Sequence, residues 1–168
     1  MVESPAPPEL VEIPSGPDRL DWIPLLELAD EPGPLRTYLG DGDLYGFVGP
    51  SGEPLAAILA IDDDSGAAEL RAVAVAEATQ GKGVGTLMVN TVLFVLAQRG
   101  ARRSIVGSAS SGVRQLAFYQ RCGFRLSHIE RDYFTPEKGY PADLAEDGIP
   151  IRDMVWMDRD LVPRSPDG

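Results

Sequence analysis

The chain has 168 residues, which fits one domain. Hydrophobic residues make up 43% of it, too many for a disordered chain and enough for a core. Its formal net charge of −11 excludes a surface that draws nucleic acid or anionic lipid, and leaves a cationic small molecule as the partner such a surface would attract, although solubility alone is the plainer reason for the charge.

Cys122 is the single cysteine, so no internal disulfide is expected, and His128 is the single histidine, so no metal site is expected. The opening Met1-Val2-Glu3-Ser4-Pro5 lacks the basic and apolar regions of a signal peptide. No apolar run is long enough to span a bilayer. The expectation is a soluble cytoplasmic protein.

Residues 1–8 are proline-rich and read as a frayed start. Leu10 to Ile13 reads as a short strand. Pro17-Asp18 opens a predicted helix over 18–29, with Leu20, Ile23 and Leu26 to Leu28 as its apolar face, ended by Pro32, Gly33 and Pro34. A loop, then three strands, are predicted at 44–48, 55–61 and 69–75. They are joined by the turn signals Pro50-Ser51-Gly52 and Asp62 to Gly66, which gives an antiparallel meander. The three aspartates at 62–64 read as a solvated turn.

The pattern then changes period. Val84, Leu87, Met88, Thr91, Val92, Val95 and Leu96 follow helical spacing, and Val89, Leu93 and Phe94 add a second apolar side, so this helix is expected to be buried on more than one side. Gly100 ends it. A strand at 104–107, a helix at 113–121 stopped by Gly123, a strand at 124–129, a long loop over 132–149 and a last strand at 151–161 follow. The last two strands are expected to pair. Antiparallel strands followed by strand-helix-strand predict an α/β (α+β) fold. No repeat and no linker interrupts the chain, so residues 1–168 are expected to form a single domain with its core at 9–162.

The most informative segment is Gln80-Gly81-Lys82-Gly83-Val84-Gly85, a glycine-rich turn between an apolar strand and an apolar helix. Such a turn exposes several backbone N–H groups at the positive end of the helix dipole, which suits a phosphate. It is neither a Rossmann fingerprint, which needs Gly-x-Gly-x-x-Gly, nor a Walker A loop. On its own it is also compatible with a structural turn.

The segment matches the Gln/Arg-x-x-Gly-x-Gly/Ala signature of the GCN5-related N-acetyltransferase (GNAT) family. It follows Glu69-Leu70-Arg71-Ala72-Val73-Ala74-Val75, which resembles the family's fourth strand. Downstream, Gln115 to Phe124 resembles the second signature, a helix ending in Tyr-x-x-x-Gly-Phe. The resemblance is strong over residues 67–130. Gly148 to Met154 looks like a bacterial subgroup of small-molecule and protein acetyltransferases, and residues 1–60 agree only in element order.

This resemblance implies a mostly antiparallel central sheet of six or seven strands, helices on both faces, and a splay between the fourth and fifth strands that admits acetyl-CoA. The pantetheine arm would bond to the backbone of Val73, Ala74 and Val75, residues that also read as core. Gln80, Gly81, Lys82, Gly83, Val84, Gly85 and Thr86 would hold the pyrophosphate, with Gly83 and Gly85 leaving room for it. Tyr119 would protonate the departing thiolate; on spacing it lies at the margin of a stripe formed by Val113, Leu116, Ala117 and Gln120, where a structural tyrosine would look the same. Glu69 is the candidate base for a protonated amine, with a solvated carboxylate as the alternative. The family's asparagine near the second helix is absent from Ser108-Ala109-Ser110-Ser111-Gly112, which leaves Ser110 or Ser111 as cap and cofactor contact. Cys122 reads as a buried, inert thiol and His128 carries no assigned role.

The implied activity is acetyl transfer from acetyl-CoA to a primary amine by direct attack, with an EC 2.3.1 type of chemistry. A non-catalytic acyl-CoA-binding module is the alternative. The implied partner is a small-molecule or peptide amine, and a homodimer is compatible with the resemblance.

Overall fold

The computed structural model describes residues 6–161. The expected fraying concerns described residues only at 6–8, which run as irregular chain; residues 1–5 lie outside the described residues, as does residue 162 at the edge of the expected core.

Seven strands form one sheet: β1 (Glu9–Ile13), β2 (Asp43–Val48), β3 (Pro54–Asp62), β4 (Ala68–Val75), β5 (Arg103–Ala109), β6 (Arg125–Glu130) and β9 (Met154–Asp160), in the order β1-β2-β3-β4-β5-β9-β6. β7 (Ala145–Glu146) and β8 (Ile149–Pro150) pair with each other, so the expected long loop carries a small ribbon of its own. The helices are α1 (Ile23–Leu26), α2 (Pro32–Tyr38), α3 (Val84–Gln98) and α4 (Val113–Arg121). β2, β3 and β4 are the expected meander, and β1 pairs antiparallel with β2. One of its turns is locked by Asp63, whose carboxylate accepts hydrogen bonds from the Ser65 N–H, the Ser65 hydroxyl and the Ala67 N–H at 2.9, 2.7 and 2.8 Å. The last strand pairs antiparallel with β6, as expected, and inserts itself between β6 and β5.

One pair in the sheet is parallel. β4 and β5 share only two positions, Ala68 with Ser104 and Glu69 with Ile105. The Ser104 hydroxyl donates to the Ala68 carbonyl at 2.8 Å and fastens that end. Beyond it the two strands diverge, which is the expected splay.

Two cores flank the sheet. On one side Tyr45, Phe47, Ile58 and Met157 pack with Met88, Val89, Val92 and Leu93 of α3 and with Tyr119 of α4. On the other, Leu44, Leu59, Ala72 and Ala74 pack with Trp22, Leu26, Leu35 and Tyr38 of the α1–α2 region. β4 contributes to both because it carries a bulge: Leu59 faces Ala72 while Ala60 faces Leu70, leaving Arg71 as the extra residue. Ala68 and Leu70 therefore belong to the α3 side, and Ala72 and Ala74 to the α1–α2 side.

Three sequence expectations are corrected. The helix over 18–29 is instead a 3-10 turn over Pro17–Trp22 followed by the single turn α1, and Pro32 starts a helix rather than ending one. Proline suits the first turn of a helix, where its missing N–H has no partner to lose. α3 is not buried on two sides: Leu87 and Phe94 remain exposed, and the buried stripe is Met88, Val89, Val92, Leu93 and Leu96. The inward face of α4 centres on Tyr119; Val113 and Gln120, read as part of its stripe, are exposed.

Candidate active site

The splay opens a cavity of about 350 Å³ between β4, β5, the end of α1 and the segment 133–154. Glu69, Arg71 and Val73 line it from β4, Ser108 and Ala109 from β5, and Tyr119 from α4. Asp30, Tyr133 and Tyr140 close it from the far side.

Glu69 is held in place by Arg71, whose Nη1 lies 3.3 Å from its Oε1. Burial nevertheless raises the Glu69 carboxyl above the ordinary carboxylate value, with Arg71 opposing that rise. The solvated reading of this residue is therefore replaced by a desolvated carboxylate facing a cavity. The Arg71 guanidinium also sits over the Tyr38 ring, 4.7 Å from its centroid. Across the cavity Asp30 accepts hydrogen bonds from the Tyr38 hydroxyl at 2.7 Å and the Tyr140 hydroxyl at 3.0 Å. Burial, together with this neighbouring carboxylate, raises both phenols.

Tyr119 is buried, with its ring edge-on to Phe118 and Phe124 at 5.2 and 6.0 Å. Burial pushes its hydroxyl above the ordinary tyrosine value, so it remains protonated through the working pH range. Cys122 is buried as expected; burial raises its thiol, while a hydrogen bond with Thr86 opposes that. His128 stacks on Trp156, 6.3 Å between ring centroids, outside this cavity.

The glycine turn lies beyond the end of β4. Gly81 and Gly83 both adopt left-handed φ, +76° and +81°. The N–H groups of residues 81–86 donate no hydrogen bond to the protein among the described residues. Successive unengaged amides at the start of a fifteen-residue helix are groups of the kind that suit an anion. Gln80 belongs to the structure of the turn, since its Nε2 donates to the Val75 carbonyl at 3.0 Å. Lys82 is exposed beside it.

The two later glycines differ in kind. A Cβ at Gly83 would meet nothing within 4 Å, so its left-handed conformation is what requires glycine. A Cβ at Gly85 would meet Val75 Cγ2 at 3.2 Å and the Phe118 ring at 3.4 Å. Gly85 therefore lets α3 approach the end of β4, a reason the sequence reading did not foresee. Val73 and Val75 pack partly against the α3-side core, and Ala74 is buried on the other side.

Serine does not cap α4. The N-cap is Gly112 and no side chain caps it. Ser110 is exposed, and its N–H donates to the Asp153 carbonyl at 2.9 Å, so the chain turns twice more before the helix begins. Ser111 is the buried serine, and its hydroxyl has no hydrogen-bond partner among the described residues.

Sequence reading missed Asp30, Tyr133 and Tyr140, which lie outside any periodic segment. Arg71 could have been found, because it stands two residues from Glu69 on one strand.

Residues 3–124 match the model of the Acetyltransferase (GNAT) family. The chain belongs to that family. Among curated relatives, the uncharacterized N-acetyltransferase YvbK of Bacillus subtilis is 38% identical over 93 residues, which are 55% of this chain and 59% of that one. The chain thus spans about three fifths of that relative's length. A Bacillus subtilis acetyltransferase solved in complex with CoA superposes with a TM-score of 0.81 at 29% identity, covering 93% of this chain and 100% of that one. An Elizabethkingia anophelis GNAT acetyltransferase solved with acetyl-CoA bound gives 0.77 at 27% identity, covering 90% and 97%. No helix among the described residues is long and apolar enough to cross a membrane.

Proposed function

We propose that this protein is an acetyl-CoA-dependent N-acetyltransferase, built as one domain, that acetylates a primary amine by direct attack. The observation that carries this reading is the run of unengaged N–H groups at residues 81–86, beside strands that part after two shared positions. In it the diphosphate of acetyl-CoA rests on residues 81–86, with Lys82 as added charge, and the pantetheine arm runs along Val73 to Val75 in the manner of an added strand. Gln80 supports that turn from behind, and the unpartnered Ser111 hydroxyl replaces Ser110 as the polar contact near α4. The same donors in the relatives solved with CoA and acetyl-CoA support the donor assignment.

The acceptor enters the cavity between β4 and the segment 133–154. An alkylamine has an ordinary pKa of about 10 and arrives protonated. Glu69, directly or through a water, takes its proton; the neutral nitrogen attacks the thioester carbonyl; the C–S bond then breaks, the sulfur leaves with its electron pair, and the second proton that the nitrogen sheds passes through water to the thiolate, giving the amide and the CoA thiol. Tyr119 donates a hydrogen bond to that sulfur. Carboxylates on the cavity wall at positions 27, 30, 31, 69 and 146 outnumber the guanidinium of Arg71, which favours a cationic amine.

The test is CoA release, read by a thiol reagent, across a panel of primary amines with acetyl-CoA as donor. Turnover is expected on at least one cationic amine. Tyr119→Phe should lower kcat by on the order of 10²-fold with acetyl-CoA affinity unchanged. Tight acetyl-CoA binding without turnover on any amine would leave the non-catalytic acyl-CoA-binding module as the better reading.

A further inference from the structure

β6 is the outermost strand of the sheet and pairs only with β9. All six of its residues are exposed, with Leu126 and Ile129 at 60% and 64%. Such an edge offers unpaired backbone groups and apolar side chains to another strand.

The edge has an internal symmetry that its sequence hides. In a regular strand Leu126 and Ile129, three residues apart, would point to opposite faces. Here a bulge absorbs Ser127, so that Leu126 stands opposite Met157, His128 opposite Trp156 and Ile129 opposite Val155. Met157 and Val155 lie two apart on β9, so Leu126 and Ile129 share one face. Arg125 and Glu130, opposite Asp158 and Met154, share the other.

We propose that β6 pairs antiparallel with β6 of a second copy of this chain, about a two-fold axis between Ser127 and His128, joining the two sheets edge to edge. In that register Arg125 of each copy lies opposite Glu130 of the other, and Leu126 opposite Ile129. Every opposed pair points to a common face, as antiparallel pairing demands. A slip of one residue sets Leu126 against Glu130, or Arg125 against Ile129, across mismatched faces. The charges are ready for the exchange. Asp158, the cross-strand neighbour of Arg125, is taken by Arg103 at 2.7 Å, and Arg125 has no ion pair among the described residues. Glu130 is steadied by the Trp156 indole N–H, 3.0 Å from its Oε2, which leaves Oε1 for a guanidinium. The interface is isologous and closed, so it ends at two copies.

Sedimentation of the full chain across a concentration series tests this. The unaltered protein should sediment as a dimer at high concentration. Arg125→Glu and Glu130→Arg, each alone, set like charges together at two symmetric positions and should raise the dimer dissociation constant about tenfold or more. The doubly reversed variant restores opposite charges and should recover the dimer, while far-ultraviolet circular dichroism reports that every variant is folded. A protein that is monomeric up to its solubility limit overturns the proposal, and leaves the edge to a different chain. So does a dimer insensitive to the single reversals, or a folded double variant that stays monomeric.

Discussion

Two ionisable residues carry the proposed chemistry, and burial raises both. A Glu69 carboxyl raised above its ordinary value of about 4.3 is a better base at neutral pH than an exposed glutamate. Tyr119 is raised above the ordinary tyrosine value as well, so full proton transfer to a thiolate is uphill and the contribution proposed for it is a hydrogen bond to the developing charge. A carboxyl raised in the folded state contributes stability that is complete below its unfolded pKa and is lost as pH rises through its folded pKa. Glu69→Gln fixes the neutral form. Its melting temperature relative to the unaltered protein should therefore climb as pH rises past the ordinary glutamate value of about 4.3, while kcat/KM drops on the order of 10²-fold and loses its acidic limb. Parallel melting and kinetic series check this; a stability gap that narrows with rising pH would mean that Arg71 outweighs burial. The sequence made Glu69 and Tyr119 visible through motif position; their burial could not be read from it.

Elements position these groups through irregularities that periodic patterns do not carry. The alternation of β4 reads as one uninterrupted strand, yet the bulge at Arg71 sends its two halves to different cores. The first helical region is likewise broken, and what replaces it is organised by Arg19, a charged residue only 3% exposed. Its guanidinium donates to the carbonyls of Leu39, Asp41 and Gly42 at 2.9, 2.8 and 2.8 Å, and to Ile13 at 3.4 Å. It thereby ties the 3-10 turn to the end of α2 and the start of β2. No hydrophobic scan selects a buried arginine. Arg19→Ala leaves several inward carbonyls without a donor and should destabilise the fold by about 3 kcal/mol or more, with Arg19→Lys intermediate because an ammonium cannot span the same carbonyls. Urea unfolding monitored at Trp22, which packs in the same core, reads the difference directly. An alanine variant within about 0.5 kcal/mol of the unaltered protein would show that water replaces the guanidinium freely.

At the scale of the whole molecule, element order and the glycine turn were legible because each depends on short-range pattern. The acceptor side was not, because Asp30, Tyr133 and Tyr140 are brought together by the tertiary path of irregular chain and by hydrogen bonds between residues 110 positions apart. Charge is the one global property read from composition that bears on function. A net charge of −11 would attract the proposed cationic acceptor and repel acetyl-CoA, itself a polyanion that the proposal places on local amides. Raising ionic strength from about 0.01 to 0.1 M shortens the screening length from about 30 to 10 Å, and so weakens both long-range effects. KM for the amine should therefore rise with added salt, whereas KM for acetyl-CoA should stay level or fall. Initial rates with each substrate varied in turn, at matched pH and with sucrose in place of salt as a neutral control, separate the two responses. If both constants rise together, salt is competing at the amides of residues 81–86 rather than screening the surface, and the field of the molecule has no part in choosing the acceptor.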